Sequence, residues 1–155
     1  MIFVSLGTQD KPFKRLIDYC ENLNLDEEII VQVGLTEYQS DKLKIKYFLS
    51  ADEFNQYIND ARIVITHGGV GTIINALKKH KKIIACPRLA KYHEHHNDHQ
   101  LEIIEEFSKD GYLKALGEND DLLALIKSMD DFIPKEYISN TNNFIQKLDD
   151  YLSNL

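Results

Sequence analysis

The apolar residues of this chain fall into two kinds of segment: short runs, and longer stretches with helical spacing. The short runs are rich in Ile and Val and have the length of buried strands. The longer stretches place apolar residues three and four positions apart, the period of a helix with one buried face. Strands are predicted at residues 2–6, 28–33, 44–49, 62–66, 82–86 and 112–116. Helices are predicted at residues 12–23, 50–61, 70–79, 97–109 and 118–129.

The order of these elements predicts the fold. Strands that alternate with helices build βαβ units, in which the strands run parallel and helices cover both faces of the sheet. We therefore predict an α/β fold, a single Rossmann-like domain with a mainly parallel sheet over residues 1–155. Ligands of such sheets bind beyond the carboxyl ends of the strands, and the chain's unusual residues follow those ends.

Two helix boundaries have recognisable signals. Ser50 followed by Glu53 is a capping box, and Pro12 suits the first turn of the first helix. Residues 138–155 predict a terminal amphipathic helix, which either packs on its own domain or docks in a groove of another chain. The apolar stripe of this helix consists of Phe144, Ile145, Leu148, Tyr151, Leu152 and Leu155.

Composition narrows the classes of function. A net charge of −7 argues against a general nucleic-acid binder. Two cysteines without CxxC spacing favour a reducing compartment, and no apolar run approaches the ~20 residues that span a bilayer. A local basic cluster is either a solvated helix end or a surface that faces phosphates. Its members are Lys78, Lys79, Lys81, Lys82, Arg88 and Lys91.

The segment THGGVGT, residues 66–72, joins a predicted strand to a predicted helix. Its glycines, Gly68, Gly69 and Gly71, permit tight turns and close approach of a ligand to the backbone. The start of the following helix presents free N–H groups, which bind phosphate well, and Thr72 adds a hydroxyl. A simple structural turn explains the glycines equally well. Gly7 and Thr8 form a second, weaker turn of this kind.

The segment HEHHNDHQ, residues 93–100, allows three interpretations. His95 and His99 have helical i, i+4 spacing for a metal, but the HExxH pattern is absent and no second ligand cluster is evident. A solvated His-rich loop is the second interpretation. The third is recognition of a polyhydroxylated ligand by Glu94, His95, Asn97, Asp98 and Gln100. No Ser-His-Asp or Cys-His set stands out, and Cys86, at a strand end, is interpreted as a core residue.

Together, these segments look like a known family. VITHGGVGTIINALKKHKKIIACPR…EHHNDHQ resembles the donor-binding signature of GT-B glycosyltransferases. The resemblance includes the peptidoglycan GlcNAc transferase and the catalytic subunit of the two-subunit GlcNAc transferase of dolichol-linked oligosaccharide assembly. MIFVSLGTQDKPFKRLI is similar to the start of small bacterial capsule and exopolysaccharide proteins. The resemblance covers about residues 1–116 and implies one half of a GT-B fold.

The resemblance implies roles for individual residues. The glycine turn and Thr72 would face the donor diphosphate, the backbone of Leu49 would read uracil, and Glu94 with His95 would hold sugar hydroxyls. Gly7 and Thr8 would line the cleft. Asn75 stands where many relatives carry Glu or Asp for the ribose, and an amide binds a hydroxyl less strongly than a carboxylate does.

The implied function is that of a donor-binding, catalytic subunit of an inverting UDP-sugar-dependent hexosyltransferase. It would act on a lipid-linked acceptor in capsular or exopolysaccharide synthesis, without a metal or other cofactor. A membrane-anchored, acceptor-binding subunit would be its partner and would bring it from the cytoplasm to the inner face of the membrane. The catalytic base would be His67, His95 or a residue of that partner.

Other functions remain open at this point. A non-catalytic accessory subunit would keep the same fold without binding the donor. A UDP-sugar epimerase shares the architecture, but it needs both halves in one chain of greater length. A metal hydrolase would use the His-rich segment instead of the glycine turn.

Overall fold

A computed structural model describes residues 1–138 and 141–153 and has a six-stranded sheet at its centre. The strand order is β3-β2-β1-β4-β5-β6, and every adjacent pair runs parallel. The strands are β1 Ile2–Ser5, β2 Ile29–Gln32, β3 Lys44–Lys46, β4 Ile63–Thr66, β5 Lys82–Ala85 and β6 Lys114–Ala115. This order is that of a Rossmann-like sheet, and the predicted single α/β domain with a parallel sheet is confirmed.

Six helices follow or separate these strands: α1 Lys14–Glu21, α2 Ala51–Asp60, α3 Val70–Lys78, α4 His99–Lys109, α5 Leu122–Ser128 and α6 Thr141–Ser153. The capping box at α2 is present as predicted. Ser50 Oγ accepts a hydrogen bond from the Glu53 N–H (3.2 Å), and Glu53 Oε2 accepts one from the Ser50 N–H (2.9 Å). At α5 the carboxylate of Asp121 caps the helix start by accepting from the N–H groups of Leu123 and Ala124.

The strands are buried on both faces because their alternate residues enter two separate cores. Ile2, Val4 and Ile65 belong to the core beneath α1 and α5, whereas Phe3 and Val64 belong to the core beneath α2, α3 and α4. Such double burial explains why the strands read as continuous apolar runs instead of alternating ones. Cys20 and Cys86 are free, fully buried thiols of the first core, as expected for core residues.

Several predicted boundaries were wrong. The strand predicted to Leu49 ends at Lys46, and the Tyr47 carbonyl instead accepts from the Gly34 N–H (2.8 Å). The first helix begins at Lys14, so Pro12 precedes its N-cap residue, Phe13. The fourth helix begins at His99, and a 3-10 turn, Ala90–Tyr92, was not predicted.

Lysines of the basic cluster bind carbonyl groups at helix ends. Lys81 Nζ donates to Ala61 O (2.9 Å) at the end of α2, and Lys82 Nζ donates to Met129 O (2.5 Å) at the end of α5. Positive charge is favourable at a helix C-terminus, where the free carbonyls and the negative end of the dipole lie. These two ammonium groups therefore stabilise the fold.

Helix α6 contacts its own domain. Leu148 packs against the core beneath α4, and Lys147 Nζ lies 3.6 Å from Asp110 Oδ2. The side chains of Phe144, Ile145 and Tyr151, and the whole of Leu155, lie outside what the structure describes, so docking of the full stripe on another chain stays a prediction. In the described part of the chain, no helix has the length and hydropathy needed to cross a membrane.

Candidate functional site

A cavity of about 600 Å³ opens at the carboxyl edge of the sheet, a volume within the range of small-molecule sites. The loops after β1, β3 and β4 and the starts of α2 and α3 surround it. Predicted residues that line it are Gly7, Thr8, Leu49, His67, Gly69, Gly71, Thr72 and Asn75. Residues not predicted are Ser5, Gln9, Gln32, Ala51, Phe54 and Asn55, together with Phe48 beside the predicted Leu49.

The start of α3 is the strongest anion-binding feature of this cavity. The first intrahelical bond runs from the Ile73 N–H to Gly69 O (3.2 Å), so the N–H groups of Val70, Gly71 and Thr72 precede it. No described side chain caps this end of the helix. The helix dipole adds partial positive charge at the same place.

The described part of the cavity lining carries no acidic side chain that would oppose the partial positive charge at the start of α3. The chain carries 25 acidic residues and a net charge of −7, yet none of the cavity-lining residues in the described part of the chain is Asp or Glu. Exposed backbone N–H groups without a nearby carboxylate make this part of the cavity suited to an anionic ligand.

The glycines of the site have different reasons for lacking a side chain. A Cβ at Gly7 would lie 2.4 Å from His67 Nε2, and one at Gly69 would lie 2.4 Å from His67 Cε1. A Cβ at Gly68 would lie 2.6 Å from Gln100 Cβ. Only Gly71 of the predicted turn faces open space, with no heavy atom within 4 Å of an added Cβ. Three of these glycines therefore make room for protein side chains, and Gly71 leaves room for a ligand.

A buried polar network supports the floor of the cavity. Ser5 Oγ donates to Gln32 Oε1 (2.9 Å), and Gln32 Nε2 donates to the carbonyls of Gly7 and Tyr47, each at 3.3 Å. The network ties the loop after β1 to the segment after β3. A signal for it was present in the sequence, because Ser5 and Gln32 are polar residues at the ends of apolar strands.

Amide groups and an aromatic ring form the part of the cavity wall where α2 meets α3. Asn75 Nδ2 and Lys79 Nζ both donate to Asn55 Oδ1, each at 2.9 Å. Because Asn75 Nδ2 makes this bond, Asn75 Oδ1 remains an acceptor, and Asn75 is one of the residues that line the cavity. Phe48 is 58% exposed at the rim beside Leu49, where a flat ligand ring can contact it.

His67 is nearly buried, with 5% of its surface exposed, and touches the cavity. Burial lowers the pKa of its imidazole to about 4, and the positive charge of Arg88 contributes in the same direction. The ring is therefore neutral at neutral pH and is a weak base.

Among the described residues, Arg88 is the largest fully buried side chain, and it joins the loop after β1 to the loop before α4. Its guanidinium donates to Leu6 O (2.6 Å), Lys11 O (2.7 Å) and Glu94 O (3.1 Å). Burial lowers its pKa to about 10, which leaves it positively charged at neutral pH. The sequence placed this residue in a surface cluster, whereas the structure makes it an internal brace.

The His-rich segment does not form the second wall that its composition suggested. Among the described residues, Glu94, His95, Asn97, Asp98 and Gln100 all lie outside the cavity lining, as does Gly68. The Glu94 carboxylate accepts from Arg15 Nε and Nη2, each at 2.9 Å, and from the Leu89 N–H at 3.0 Å. These bonds tie Glu94 to α1 and to the loop before α4, and a role in holding sugar hydroxyls stays a prediction.

The neighbouring polar side chains bind backbone groups in the same way. Asp98 Oδ1 accepts from the Ala90 N–H (2.9 Å), and Asn97 Oδ1 accepts from the His99 N–H (3.1 Å). His95 Nδ1 lies 3.0 Å from Asn97 Oδ1. A role of these residues in holding a sugar stays a prediction, and in this structure their polar atoms order the loop before α4.

The structure also bears on the metal and nucleophile interpretations. No described group of three or more His, Cys, Asp or Glu side chains is arranged to hold a metal ion. Burial raises the pKa of the Cys86 thiol to about 12, so the thiol is protonated and a poor nucleophile at neutral pH.

The chain is similar in sequence to two known glycosyltransferases. The chain is 32% identical over 96 residues to a zeaxanthin glucosyltransferase of Pseudescherichia vulneris, covering 56% of this chain and 22% of that protein. It is 29% identical over 79 residues to the UDP-N-acetylglucosamine transferase subunit ALG13 of Candida albicans, covering 51% of this chain and 26% of that protein. The matches thus span about a quarter of each relative's length.

Similarity of fold and of sequence profile extends over nearly the whole chain. A solution structure of ALG13 superposes with a TM-score of 0.60 at 20% identity, covering 95% of this chain and 94% of that one. The profile of the glycosyltransferase family 28 C-terminal domain matches residues 1–155. The chain therefore belongs to the glycosyltransferase family 28 C-terminal domain family.

Proposed function

We propose that this chain is the donor-binding, catalytic subunit of an inverting, UDP-sugar-dependent hexosyltransferase. The observation that carries the proposal is the composition of the cavity. An uncapped start of α3 and a neutral His67 lie beside Asn75 of the same helix, and Phe48 and Asn55 come from the segment after β3 and from α2. A nucleoside diphosphate has matching parts, because its phosphates need N–H donors and its base and ribose need a flat surface and amide groups.

Individual contacts follow from this placement. The N–H groups of Val70, Gly71 and Thr72 would bind the diphosphate, and Asn75 Oδ1 would accept from a ribose hydroxyl. The backbone of Leu49 would read the uracil edge, with Phe48 against the ring. Thr8 and Gln9, on the loop after β1, are then the cavity residues best placed for the attached sugar.

The same groups would stabilise the departing UDP. Negative charge develops on the β-phosphate as the glycosidic bond to the donor breaks, and preorganised N–H donors stabilise such charge without reorganisation. We therefore propose that the reaction needs no divalent metal. The lowered pKa makes His67 a weaker base than an ordinary histidine, so we propose that general-base catalysis comes from His95 or from the partner.

A partner subunit is the second part of the proposal. Leu35, Tyr47 and Phe48, which follow β2 and β3 on the ligand-binding edge, are each more than half exposed. Exposed large apolar residues beside a cleft suit a surface that another chain covers. We propose a membrane-anchored acceptor-binding subunit that recruits this chain to the inner face of the membrane. The lipid-linked acceptor and the capsular or exopolysaccharide pathway are proposed from the resemblance of residues 1–17 and 64–100.

Titration of UDP into the purified chain by calorimetry tests the donor site. We expect one UDP per chain and much weaker binding of GDP, whose larger base does not fit a uracil-sized contact at Leu49. Absence of UDP binding would contradict the donor role and favour a non-catalytic accessory subunit.

Co-expression with the protein encoded by the neighbouring reading frame tests the partner. We expect the two chains to purify together and to transfer sugar to a lipid-linked acceptor only in combination. Transfer to soluble acceptors by this chain alone would show that it needs no partner.

A further inference from the structure

The ring of His67 is held in one position between two backbone segments. Gly7 and Gly69 lie on either side of it, so close that a Cβ on either residue would meet the ring at 2.4 Å. One ring nitrogen, Nε2, lies beside Gly7 and Gly69, which line the cavity together with His67, and it has no hydrogen-bond partner among the described residues. The other nitrogen, Nδ1, faces Gln100 in the interior.

The hydrogen bonds of Gln100 define which end of its amide faces the ring. Two backbone donors converge on its oxygen: the N–H of Gly68 at 2.9 Å and the N–H of Arg88 at 3.1 Å. A carbonyl oxygen accepts both, whereas an NH₂ group would repel both. The NH₂ group therefore faces His67 and lies 3.2 Å from Nδ1.

An NH₂ group donates, so Nδ1 must accept. A neutral imidazole has one N–H and one lone pair, and a lone pair on Nδ1 places the hydrogen on Nε2. We propose that Gln100 is a positioning residue that holds His67 as the neutral Nε2–H tautomer. His67 then acts on the occupant of the cavity as a hydrogen-bond donor and not as a proton acceptor.

The charged and titratable neighbours act in the same direction. The Arg88 guanidinium and the His95 ring both disfavour a positive charge on His67. The other groups packed on the ring, Gly7, Gly69 and Gln100, carry no charge. Burial and these neighbours thus lower the pKa of His67, while the Gln100 contact selects which nitrogen carries the hydrogen.

This inference rests on the proposed function only for the identity of the occupant. A diphosphate has acceptors alone, so an Nε2–H donor suits it and an Nε2 lone pair would repel it. Gln100 was expected to hold sugar hydroxyls, but its amide oxygen and nitrogen are both bound inside the protein.

The decisive measurement is the tautomer of His67 in protein labelled with ¹⁵N-histidine. Long-range ¹H–¹⁵N NMR correlations distinguish a protonated ring nitrogen from one with a lone pair. We expect Nε2 protonated and Nδ1 unprotonated in the wild type between pH 6 and 8. Protonation of Nδ1 in the wild type would overturn the inference, whether or not the chain binds UDP.

The variant Gln100→Glu reverses the bond while keeping the size of the side chain. One carboxylate oxygen still accepts from Gly68 and Arg88, but the other faces Nδ1 as an acceptor and requires a proton there. We expect Nδ1 of His67 to become protonated and UDP affinity to fall about tenfold, because the buried carboxylate adds negative charge behind the ring that meets the diphosphate. An unchanged His67 spectrum in this variant would contradict the proposal.

Gln56→Glu is the matched control, because it makes the same change of charge on the exposed surface of α2. It should leave the His67 spectrum as in the wild type. If Gln100→Glu does not fold, the wild-type tautomer alone decides. If the wild type shows the expected tautomer but binds no UDP, the positioning role stands and the proposed function fails.

Discussion

The glycine turn and the His-rich segment, residues 67–72 and 93–100, differ in what their polar groups contact. The turn leaves the first N–H groups of α3 without an acceptor among the described residues, and it opens onto the cavity. In the His-rich segment, the polar atoms of Glu94, Asp98 and Gln100 already bind protein groups. A group that already binds protein groups has fewer hydrogen-bonding positions left for a ligand. The comparison indicates that hydrogen-bond occupancy, in addition to residue type, distinguishes the helix start that we propose as a ligand site from the loop beside it.

Glu94→Ala tests the supporting role and should have the largest effect. The Glu94–Arg15 pair is buried, with side-chain exposures of 5% and 15%. Removing one partner leaves an unpaired internal charge, which costs about 3–5 kcal/mol of unfolding free energy. Urea denaturation measures this loss.

The exposed pair of Lys91 and Glu118 provides the matched control. Glu118→Ala should cost far less, because solvent screens that pair. A Glu94→Ala protein of wild-type stability that selectively loses affinity for a UDP-sugar, but not for UDP, would instead place Glu94 on the sugar.

The pH dependence of stability tests the burial of His67. The unfolded chain takes up a proton near the ordinary pKa of 6.5, but the folded chain does so only near 4. Stability is therefore complete above pH 6.5, declines between pH 6.5 and 4 by about 3 kcal/mol, and levels off below.

In His67→Gln, the decline in stability between pH 6.5 and 4 that His67 causes should disappear. Urea denaturation across the pH range measures this change. His96→Gln, at an exposed position, is the control and should retain the wild-type slope. A slope that persists in His67→Gln would show that other groups are responsible for it.

Gly69→Ala and Gly71→Ala distinguish a glycine that makes room for the His67 ring from a glycine that leaves room for a ligand. The methyl group at position 69 would collide with the His67 ring, so we expect a loss of about 1–3 kcal/mol in stability. The methyl group at position 71 meets open space, and alanine favours the helix, so stability should rise by about 0.5–1 kcal/mol.

The effects of these variants on UDP affinity should differ from their effects on stability. Gly71→Ala places its methyl group in the space left for the ligand and should weaken UDP binding in a fully folded protein. Calorimetry measures the UDP affinity of both variants, and urea denaturation measures their stability. If Gly71→Ala binds UDP as tightly as the wild type does, the diphosphate does not bind at the start of α3.

Thr72→Val should have the smallest effect. Valine keeps the shape of threonine but removes the hydroxyl at the cavity, which costs about 1 kcal/mol, or about fivefold in UDP affinity. The melting temperature should change little, since this side chain is only half-buried. Unchanged UDP affinity would remove Thr72 from the diphosphate contacts.

Much of the fold was predictable because its signals are local. The apolar runs at β1, β2, β4 and β5 and the capping box at Ser50 were identified from the sequence, and all of them are present. Errors occurred at element ends such as Lys46 and His99, where competing hydrogen bonds from neighbouring segments decide the boundary. The extended stretch at 47–49 was read as strand because its alternation continues beyond the last paired residue.

The candidate site was predictable only in part. Gly71 and Thr72 were identified because a strand, a glycine turn and a helix follow one another in the sequence. Asn55 and Gln32 were missed, because their roles depend on Asn75, Gly7 and Tyr47, which are distant along the chain.

The sequence by itself determined the parallel α/β architecture and the edge of the sheet where the cavity opens, because strand and helix periodicity and the order of elements are local properties. Only the tertiary structure decided which polar residues remain available. Arg15 meets Glu94 across 79 positions, and Gly68 meets Gln100 across 32. Such long-range pairings cannot be predicted from spacing or composition. They nevertheless occupy hydrogen-bonding groups of residues that the sequence presents as candidates for ligand binding.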